Sequence, residues 1–221
     1  FCSLFAHLAS CLSDENYILT YPCSWSEFLS PLYFAQRHRL DETAILAYSH
    51  GRRTAETIAF FAPEHINVME ETAKVVAEEM LDLEGITAIQ GAKKLLHSLP
   101  THQWAIVTSA NRELAIRRMR AADLPIPSLL ITAEDVKQGK PAPDGYLLAA
   151  KMFQVLPKDC LVFEDACAGL IAANAAGIPA FAIGSHAQKT KTPHEKWQMD
   201  FTELQLTISP SKTKLFDLHI T

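Results

Sequence analysis

The chain has 221 residues, of which 48% are hydrophobic and 20% charged, and its formal net charge is −5. This composition is ordinary for one sizeable globular domain, or for a core domain with a small insertion. The negative charge argues against a broad basic surface, and no run approaches the roughly 18 apolar residues of a membrane span. We therefore predict no nucleic-acid partner and no membrane partner.

The amino-terminal stretch carries no clear structural signature. Residues 1–12 are apolar but lack the basic residues that open a signal peptide, and the chain starts with Phe1, so a truncated or misread gene start is as compatible with them as a weak signal peptide. The chain holds 5 cysteines, without a CxxC or a Cys/His metal spacing. We expect buried free thiols in a reducing cytosol, and hence a cytoplasmic protein, rather than disulfides.

Residues 24–85 are predicted to form a helical cap. The stretch is mostly helical in character, and over residues 65–83 the apolar side chains recur three and four positions apart, as on an amphipathic helix. It precedes the part of the chain in which strands and helices alternate, so we treat it as a unit of its own.

Residues 86–221 alternate between short apolar runs and helical segments. Helices are predicted over residues 90–99, from Asn111, from Pro143 and up to Gly177, and strands over residues 104–107, 128–132, 160–163 and 180–183. Because the strands are continuously apolar, they predict an α/β fold with a parallel sheet that helices cover on both faces. Two further runs, 204–208 and 215–220, indicate a terminal hairpin or an addition to the sheet edge.

Two hydroxyl side chains, Thr108 and Ser109, follow the predicted strand at residues 104–107. Ligands of open parallel sheets bind beyond the carboxyl ends of the strands, so we expect this pair at a binding site. Hydroxyls, free backbone N–H groups and the dipole of the following helix together suit a phosphate. Taken alone, Thr108 is better explained as a helix N-cap.

A lysine and two acids stand in the corresponding places after the next two strands. Lys140 lies between a glycine and a proline that shape its backbone, and Glu164 and Asp165 supply the hard oxygens that Mg²⁺ prefers. Each has a simpler explanation, as a solvated loop lysine and as a helix cap. Hydroxyl, lysine and acidic pair in this order at successive strand ends are nevertheless typical of phosphoryl transfer.

Three segments, VTSAN, VKQGKPAPDGY and LVFEDACAG, resemble motifs of the haloacid dehalogenase-type hydrolases. The resemblance implies a Rossmann-like core with a helical cap, and Mg²⁺ as cofactor. It also implies that Thr108 and Lys140 hold the transferring phosphoryl group, that Ser109 and Asn111 contact the substrate, and that Asp165 ligates the metal with the support of Glu164.

The segments SHGRRTAETI, ITAEDVKQGKP and LQLTIS are similar to the sugar-phosphatase and glycerol-phosphatase branch of this family. A small phosphorylated sugar or polyol is therefore the implied substrate. The family's cap loop would place His50, Gly51, Arg52 and Arg53 over that substrate. The two arginines could equally be ordinary surface charges.

One family motif, the Asp-x-Asp that supplies the nucleophile and a proton shuttle, occurs nowhere in this sequence. Asp14 stands roughly where the motif should fall, but Asp14-Glu15-Asn16 lacks the second aspartate and the glycine that follows it. We interpret residues 1–23 as an atypical segment that replaces the usual first core strand, and favour a frameshifted or misassembled gene start as its origin.

The sequence therefore predicts a phosphatase of small sugar or polyol phosphates, working through an aspartyl-phosphate and inactive as printed. Two alternatives stay open. One is a catalytically silent protein that binds phosphosugars, and the other is a fragmentary product of a phosphatase gene.

Overall fold

The computed structural model describes residues 17–19, 23–24, 29–184, 196–202, 204–208 and 216–220. The helices are Leu29–His38 (α1), Glu42–Ser49 (α2), Thr54–Phe61 (α3), Val68–Leu81 (α4), Ala92–Ser98 (α5), Arg112–Ala121 (α6), Asp144–Phe153 (α7) and Cys167–Ala175 (α8). The strands are Tyr17–Leu19 (β1), Cys23–Ser24 (β2), Thr87–Ala88 (β3), Trp104–Val107 (β4), Leu129–Ile131 (β5), Leu161–Glu164 (β6), Ala180–Ile183 (β7), Lys196–Gln198 (β8), Leu204–Ile208 (β9) and Phe216–Ile220 (β10).

A six-stranded parallel sheet in the order β5-β4-β1-β6-β7-β8 forms the core. Along β4 the side chains of Trp104 and Ile106 pack into one apolar cluster with helices α5 and α6, while those of Ala105 and Val107 pack into another with α7 and α8. Both faces of the sheet are thus buried beneath helices. The predicted α/β class with a Rossmann-like parallel sheet is confirmed.

The middle of the sheet holds a strand that sequence analysis did not expect. Strand β1 pairs in parallel with β4 on one side and with β6 on the other, with Ile18 opposite Ala105 and Val162. Three residues are too short for a periodicity to be read, and the position of the strand is fixed by its two neighbours. Residues 1–16 lie outside the described residues. A first core strand is therefore present, within the segment predicted to replace it.

The order of residues around β1 bears on Asp14, which also lies outside the described residues. Asp14 precedes β1 in the chain, whereas the residues that follow its carboxyl end are Thr20, Tyr21 and Pro22. Ligands of open parallel sheets bind beyond the carboxyl ends of the strands, and these three residues after β1 include no carboxylate.

Helices α1 to α4 pack on one another around a small apolar cluster that contains Phe34, Ile45, Ile58 and Val75. The predicted helix at residues 65–83 is observed as α4, which begins after an Asn67 side chain that accepts backbone N–H groups at its first turn. We call helices α1 to α4, residues 29–81, the cap. The prediction of a cap unit over residues 24–85 includes residues 25–28, which are outside the described ones.

The predictions for the carboxyl-terminal strands and for the cysteines had different outcomes. Strands β9 and β10 pair antiparallel with one another, in the region predicted as a hairpin or an edge addition. Cys167 is exposed and Cys160 is disulfide-bonded, so the expectation of buried free thiols is wrong for both: for burial at Cys167 and for the free thiol at Cys160. No described helix is long and apolar enough to cross a bilayer.

Candidate active site

The predicted phosphate-binding residues come together at the carboxyl edge of the sheet. Thr108 follows β4, and its backbone N–H donates to the carbonyl of Ile131 at the end of β5 at 2.9 Å. Thr108, Ser109, Lys140 and Arg53 line one cavity at this edge, which we call the core cavity. The topology explains the convergence, because parallel strands present their carboxyl ends on the same side.

Lys140 is buried, with 8% of its surface exposed, and its ammonium group has fixed partners. Its Nζ donates to Glu164 Oε2 at 2.9 Å and to the carbonyl of Val107 at 3.2 Å, and lies 5.2 Å from the centroid of the Tyr146 ring. An ammonium group has three donors, so one remains for a ligand in the core cavity. This geometry suits a cation that holds an anion next to Thr108.

Sequence analysis placed Glu164 directly after a strand at residues 160–163. In the structure Glu164 is instead the last residue of β6. Its Oε2 accepts from Lys140 Nζ and from the Tyr146 hydroxyl, and its Oε1 accepts from the backbone N–H groups of Asp165 and Ala166 at 3.1 and 3.0 Å. A carboxylate has about four lone-pair sites, and these four donors fill them. In this structure the oxygens of Glu164 hold Lys140, Tyr146 and two backbone N–H groups, and the role of Glu164 at a metal stays a prediction.

Burial controls the protonation of this network. Loss of solvent raises the pKa of Glu164, an effect that the charge of Lys140 only partly offsets, and the charge of Asp165 raises it further. Burial also raises the pKa of Tyr146 well above its usual value, with the nearby charge of Glu164 adding to the effect. Tyr146 thus stays a hydroxyl donor at any physiological pH.

Asp165 directly follows β6, and its side chain faces the cap loop. Its side chain is 32% exposed and its Oδ2 lies 3.5 Å from His50 Nε2, on the cap loop between α2 and α3. Burial would lower the pKa of His50, but the hydrogen bond and charge of Asp165 outweigh it and raise that pKa. Burial likewise acts to raise the pKa of Asp165, and the contact with His50 lowers it overall.

The fit of a magnesium ion can be judged from these donors. Among the described residues no group of three or more His, Cys, Asp and Glu side chains is arranged to hold a metal ion. Asp165 can supply one carboxylate, whereas Mg²⁺ takes six oxygens and keeps several waters when few protein oxygens are offered. Among the described residues, Asp165 thus fits Mg²⁺ as a single carboxylate ligand and does not form a complete metal site with its neighbours.

Gly51 holds the cap loop against the core. Its carbonyl accepts from the Ser109 hydroxyl at 2.7 Å, its φ is +77°, and a Cβ added to it would lie 2.5 Å from the Ala166 Cβ. Only glycine adopts this backbone conformation readily and leaves room for so close an approach. The Ser109 hydroxyl thus donates to the cap loop while Ser109 also lines the core cavity, and its contact with a substrate stays a prediction.

A substitution at Gly51 tests this close approach. We expect Gly51→Ala to lower the free energy of unfolding by about 2–4 kcal/mol, since it combines a strained φ with a steric overlap. Gly184→Ala is the matched control, because Gly184 has a φ of +87° but no atom of the described residues lies within 4 Å of an added Cβ. Denaturant unfolding should give a clearly smaller loss for the control. Equal losses would mean that the backbone conformation alone, and not contact with Ala166, matters at Gly51.

The two arginines of the cap loop differ in their surroundings. Arg52 lies over the Tyr48 ring, with its Cζ 4.3 Å from the ring centroid. Arg53 donates to the carbonyls of Val136 and Lys137 at 2.9 and 3.1 Å, on the loop that leads to Lys140. Its buried Nε has no hydrogen-bond partner among the described residues and remains available to a ligand in the core cavity.

Asn111 and Thr108 also have local structural roles. The Oδ1 of Asn111 accepts from the backbone N–H of Leu114 at 2.8 Å and caps α6, which leaves its amide N–H₂ as the group able to face a ligand. Asn111, not Thr108, is thus the N-cap. The Thr108 Oγ1 accepts from the Ala110 N–H at 3.1 Å, so its proton can still be donated to a phosphate oxygen.

Three residues of the site were not identified from the sequence. Tyr146 lies within the segment VKQGKPAPDGY, but its sequence position suggests only an ordinary buried helix residue. Glu56, on α3 of the cap, accepts from the Gly139 N–H of the core at 3.0 Å. Gly169 makes room for Glu164, since a Cβ there would lie 1.7 Å from Glu164 Oε2. A glycine inside a helix was the sequence signal available for this close approach. The other small residues of the same helix are suited to packing and made that signal easy to overlook.

A parallel sheet that brings a buried lysine and a hydroxyl to one cavity beneath a helical cap is typical of proteins that act on phosphoryl groups. Sequence comparison names the family. The sequence profile of the haloacid dehalogenase-like hydrolases matches residues 25–177, and the chain belongs to that family. The predicted membership is confirmed. The matched range includes all three motifs but no residue before Trp25.

The curated relatives include sugar and polyol phosphatases, as predicted. The chain is 38% identical over 158 residues to hexitol phosphatase A of Escherichia coli. The aligned region covers 70% of this chain and 73% of that protein. The chain is 35% identical over 181 residues to glycerol-1-phosphate phosphohydrolase 1 of Saccharomyces cerevisiae, covering 74% and 69%.

Solved structures agree on the fold. A hydrolase from Pseudomonas syringae superposes with a TM-score of 0.72 at 18% identity, over 85% of this chain and 94% of that one. CbbY from Rhodobacter sphaeroides, in complex with phosphate, superposes with a TM-score of 0.69 at 19% identity, over 86% and 95%. At these identities the likeness concerns the fold alone.

Proposed function

We propose that this protein is a phosphatase of small sugar and polyol phosphate monoesters by descent, and that the printed chain binds such esters without hydrolysing them above background. The observation that carries the proposal is the buried Lys140, held by Glu164, Tyr146 and the Val107 carbonyl with a donor left for the core cavity. The names of the E. coli and yeast relatives support the substrate class.

The absence of turnover follows from the chemistry that the family's mechanism requires. An aspartate at the end of the first core strand attacks phosphorus in that mechanism, and a second aspartate two residues later moves the proton. Here β1 is followed by Thr20, Tyr21 and Pro22. Lys140 and Thr108 can position and stabilise a phosphoryl group, but without an in-line nucleophile only slow attack by water remains.

We further propose Mg²⁺ as the cofactor, with Asp165 as its ligand and Glu164 supporting the site. A bound ion would supply positive charge to the transferring phosphoryl group. The predicted cytoplasmic location and the absence of nucleic-acid and membrane partners stay predictions.

The metal assignment is tested by calorimetry with Mg²⁺. We expect the printed chain to bind Mg²⁺ weakly and Asp165→Asn to lose most of the binding heat, because the variant removes the carboxylate that we propose as the metal ligand. The control is Glu113→Gln, which removes an exposed carboxylate on α6 that pairs with Arg117. Identical titrations for the printed chain and Asp165→Asn would show that Asp165 is not a metal ligand.

Binding of phosphate tests the central part of the proposal. Titration with inorganic phosphate and with a hexitol monophosphate should show saturable binding that Thr108→Val weakens, since the variant removes one hydroxyl donor and keeps the side-chain volume. The expected weakening is roughly five-fold, the value of one hydrogen bond. Absence of binding by the unmodified chain would contradict the proposal.

A further inference from the structure

Two residues of the cap reach across to a loop of the core. Arg53 directly precedes α3, and Glu56 lies in the first turn of that helix. The Arg53 guanidinium donates to the carbonyls of Val136 and Lys137 at 2.9 and 3.1 Å. Glu56 Oε1 accepts from the Gly139 N–H at 3.0 Å. All three bonds go to backbone atoms, so the two cap residues hold the course of the loop itself.

Gly139 shows how close this contact is. A Cβ added to Gly139 would lie 2.7 Å from Glu56 Oε1 and 2.8 Å from Arg53 Nε. The backbone φ of Gly139 is outside the left-handed region, so its conformation does not call for a glycine. The glycine is explained instead by the space that the two cap side chains occupy.

The loop that these cap residues contact forms one wall of the core cavity. Four of its residues line that cavity, namely Val136, Gln138, Gly139 and Lys140. Glu56 does not occur among the described residues of the lining, so it contacts the wall without lining the cavity itself. An effect of Glu56 on a bound anion must therefore pass through the loop.

The position of Lys140 depends on this loop. Lys140 follows Gly139 directly, and its Nζ lies 2.9 Å from Glu164 Oε2. Because Gly139 is half-buried, its N–H would be costly to leave without an acceptor. Removal of the Glu56 carboxylate would therefore let the backbone next to Lys140 move toward another acceptor, and the ammonium group would move with it.

We infer that Glu56 is a positioning residue for phosphate. It holds the Gly139 N–H, and through Gly139 it keeps Lys140 in the place from which the ammonium group binds the anion. Arg53 supports the same loop, and its Nη1 lies 3.6 Å from Glu56 Oε1. The inference rests on the proposed binding of phosphate monoesters in the core cavity. It makes the strength of that binding depend on a cap side chain that does not touch the ligand.

The test measures the affinity of the full chain for inorganic phosphate. We expect Glu56→Met to weaken phosphate binding roughly ten-fold, since it removes the acceptor of a charge-assisted hydrogen bond and keeps the side-chain length. Glu56→Gln keeps an oxygen that accepts from the Gly139 N–H, and should bind phosphate within about two-fold of the unmodified chain. The control is Glu64→Met, the same exchange at an exposed residue between α3 and α4, which should leave the affinity unchanged.

Gly139→Ala tests the same contact from the core side. The added methyl group would displace the Glu56 carboxylate, so this variant should weaken phosphate binding as Glu56→Met does. In the double variant G139A/E56M the two losses should not add, because both substitutions remove one contact. Gly139→Ala also decides the matter if Glu56→Met does not fold, since unchanged phosphate affinity in Gly139→Ala would contradict the inference.

The outcomes separate this inference from the proposed function. If the unmodified chain does not bind phosphate, both fail. If it binds phosphate and Glu56→Met lowers only the free energy of unfolding, Glu56 is a structural contact between cap and core, and the inference alone is overturned. Equal weakening by Glu56→Met and Glu56→Gln would also overturn it, because the negative charge and not the bond to Gly139 would then be responsible.

Discussion

Lys140→Met should weaken the binding of a phosphate monoester by roughly 100-fold or more, because the phosphate would then face a buried carboxylate without its cation. The same substitution should lower the free energy of unfolding by about 3–5 kcal/mol. Glu164 is 1% exposed, and Lys140 is the cation that pairs with it, so its loss leaves an uncompensated buried charge. Calorimetric titration and denaturant unfolding measure the two effects separately.

A double variant separates the two roles of this lysine. In Lys140→Met with Glu164→Gln the buried charge is removed together with its partner, so much of the lost stability should return while phosphate binding stays weak. The glutamine can still accept from the backbone N–H groups of Asp165 and Ala166. Recovery of phosphate binding in the double variant would show that Lys140 acts by folding the site and not by holding the ligand.

Restoring a carboxylate after β1 should produce an active phosphatase. The variant T20D/P22D/C23G places the sequence Asp-x-Asp-Gly directly after Leu19 and leaves the residues of β1 unchanged. We expect it to release phosphate from a hexitol or glycerol monophosphate, in the presence of Mg²⁺, at least about 10³-fold faster than the printed chain, since it supplies the nucleophile and the proton shuttle. Phosphate release under substrate saturation is the measurement.

The matched control differs from this variant at one side chain. T20N/P22D/C23G keeps the size of the first residue and removes the nucleophilic oxygen anion, and it should stay at background. If T20D/P22D/C23G folds and binds phosphate but does not hydrolyse it, the missing carboxylate is not what limits this chain.

The sheet could be predicted because its strands are continuous apolar runs. Trp104–Val107 and Ala180–Ile183 are observed with the predicted bounds, since burial on both faces leaves no polar position within them. Strand β1 could not be predicted in this way. Three residues carry no periodicity, and their position follows from pairing with β4 and β6.

The residues of the candidate site could be predicted from the sequence, but the contacts that each of them makes could not. The order of Thr108, Lys140 and Asp165 along the chain pointed to one edge of the sheet. The saturation of Glu164 by four donors depends on Tyr146 and on backbone N–H groups, none of which has a sequence signal. Distances across the fold decide such roles, and a single sequence does not contain them.

The cap loop between α2 and α3 likewise makes contacts with the core that could not be predicted from the sequence. The family resemblance implied that Arg52 and Arg53 lie over a substrate, with ordinary surface charges as the alternative. The structure adds a contact that the sequence did not predict, since Arg53 joins the cap to the loop that leads to Lys140. Gly51 approaches Ala166, a residue more than one hundred positions away, so the reason for a glycine there is visible only in three dimensions.

The central claim, binding without turnover, is tested most directly by following a hexitol monophosphate by phosphorus NMR in the presence of the printed chain and Mg²⁺. We predict that the ester's resonance shifts or broadens as it binds, and that no inorganic phosphate accumulates above the rate without protein. Phosphate release by the unmodified chain that Asp14→Asn abolishes would contradict the account, and would identify Asp14 as a working nucleophile.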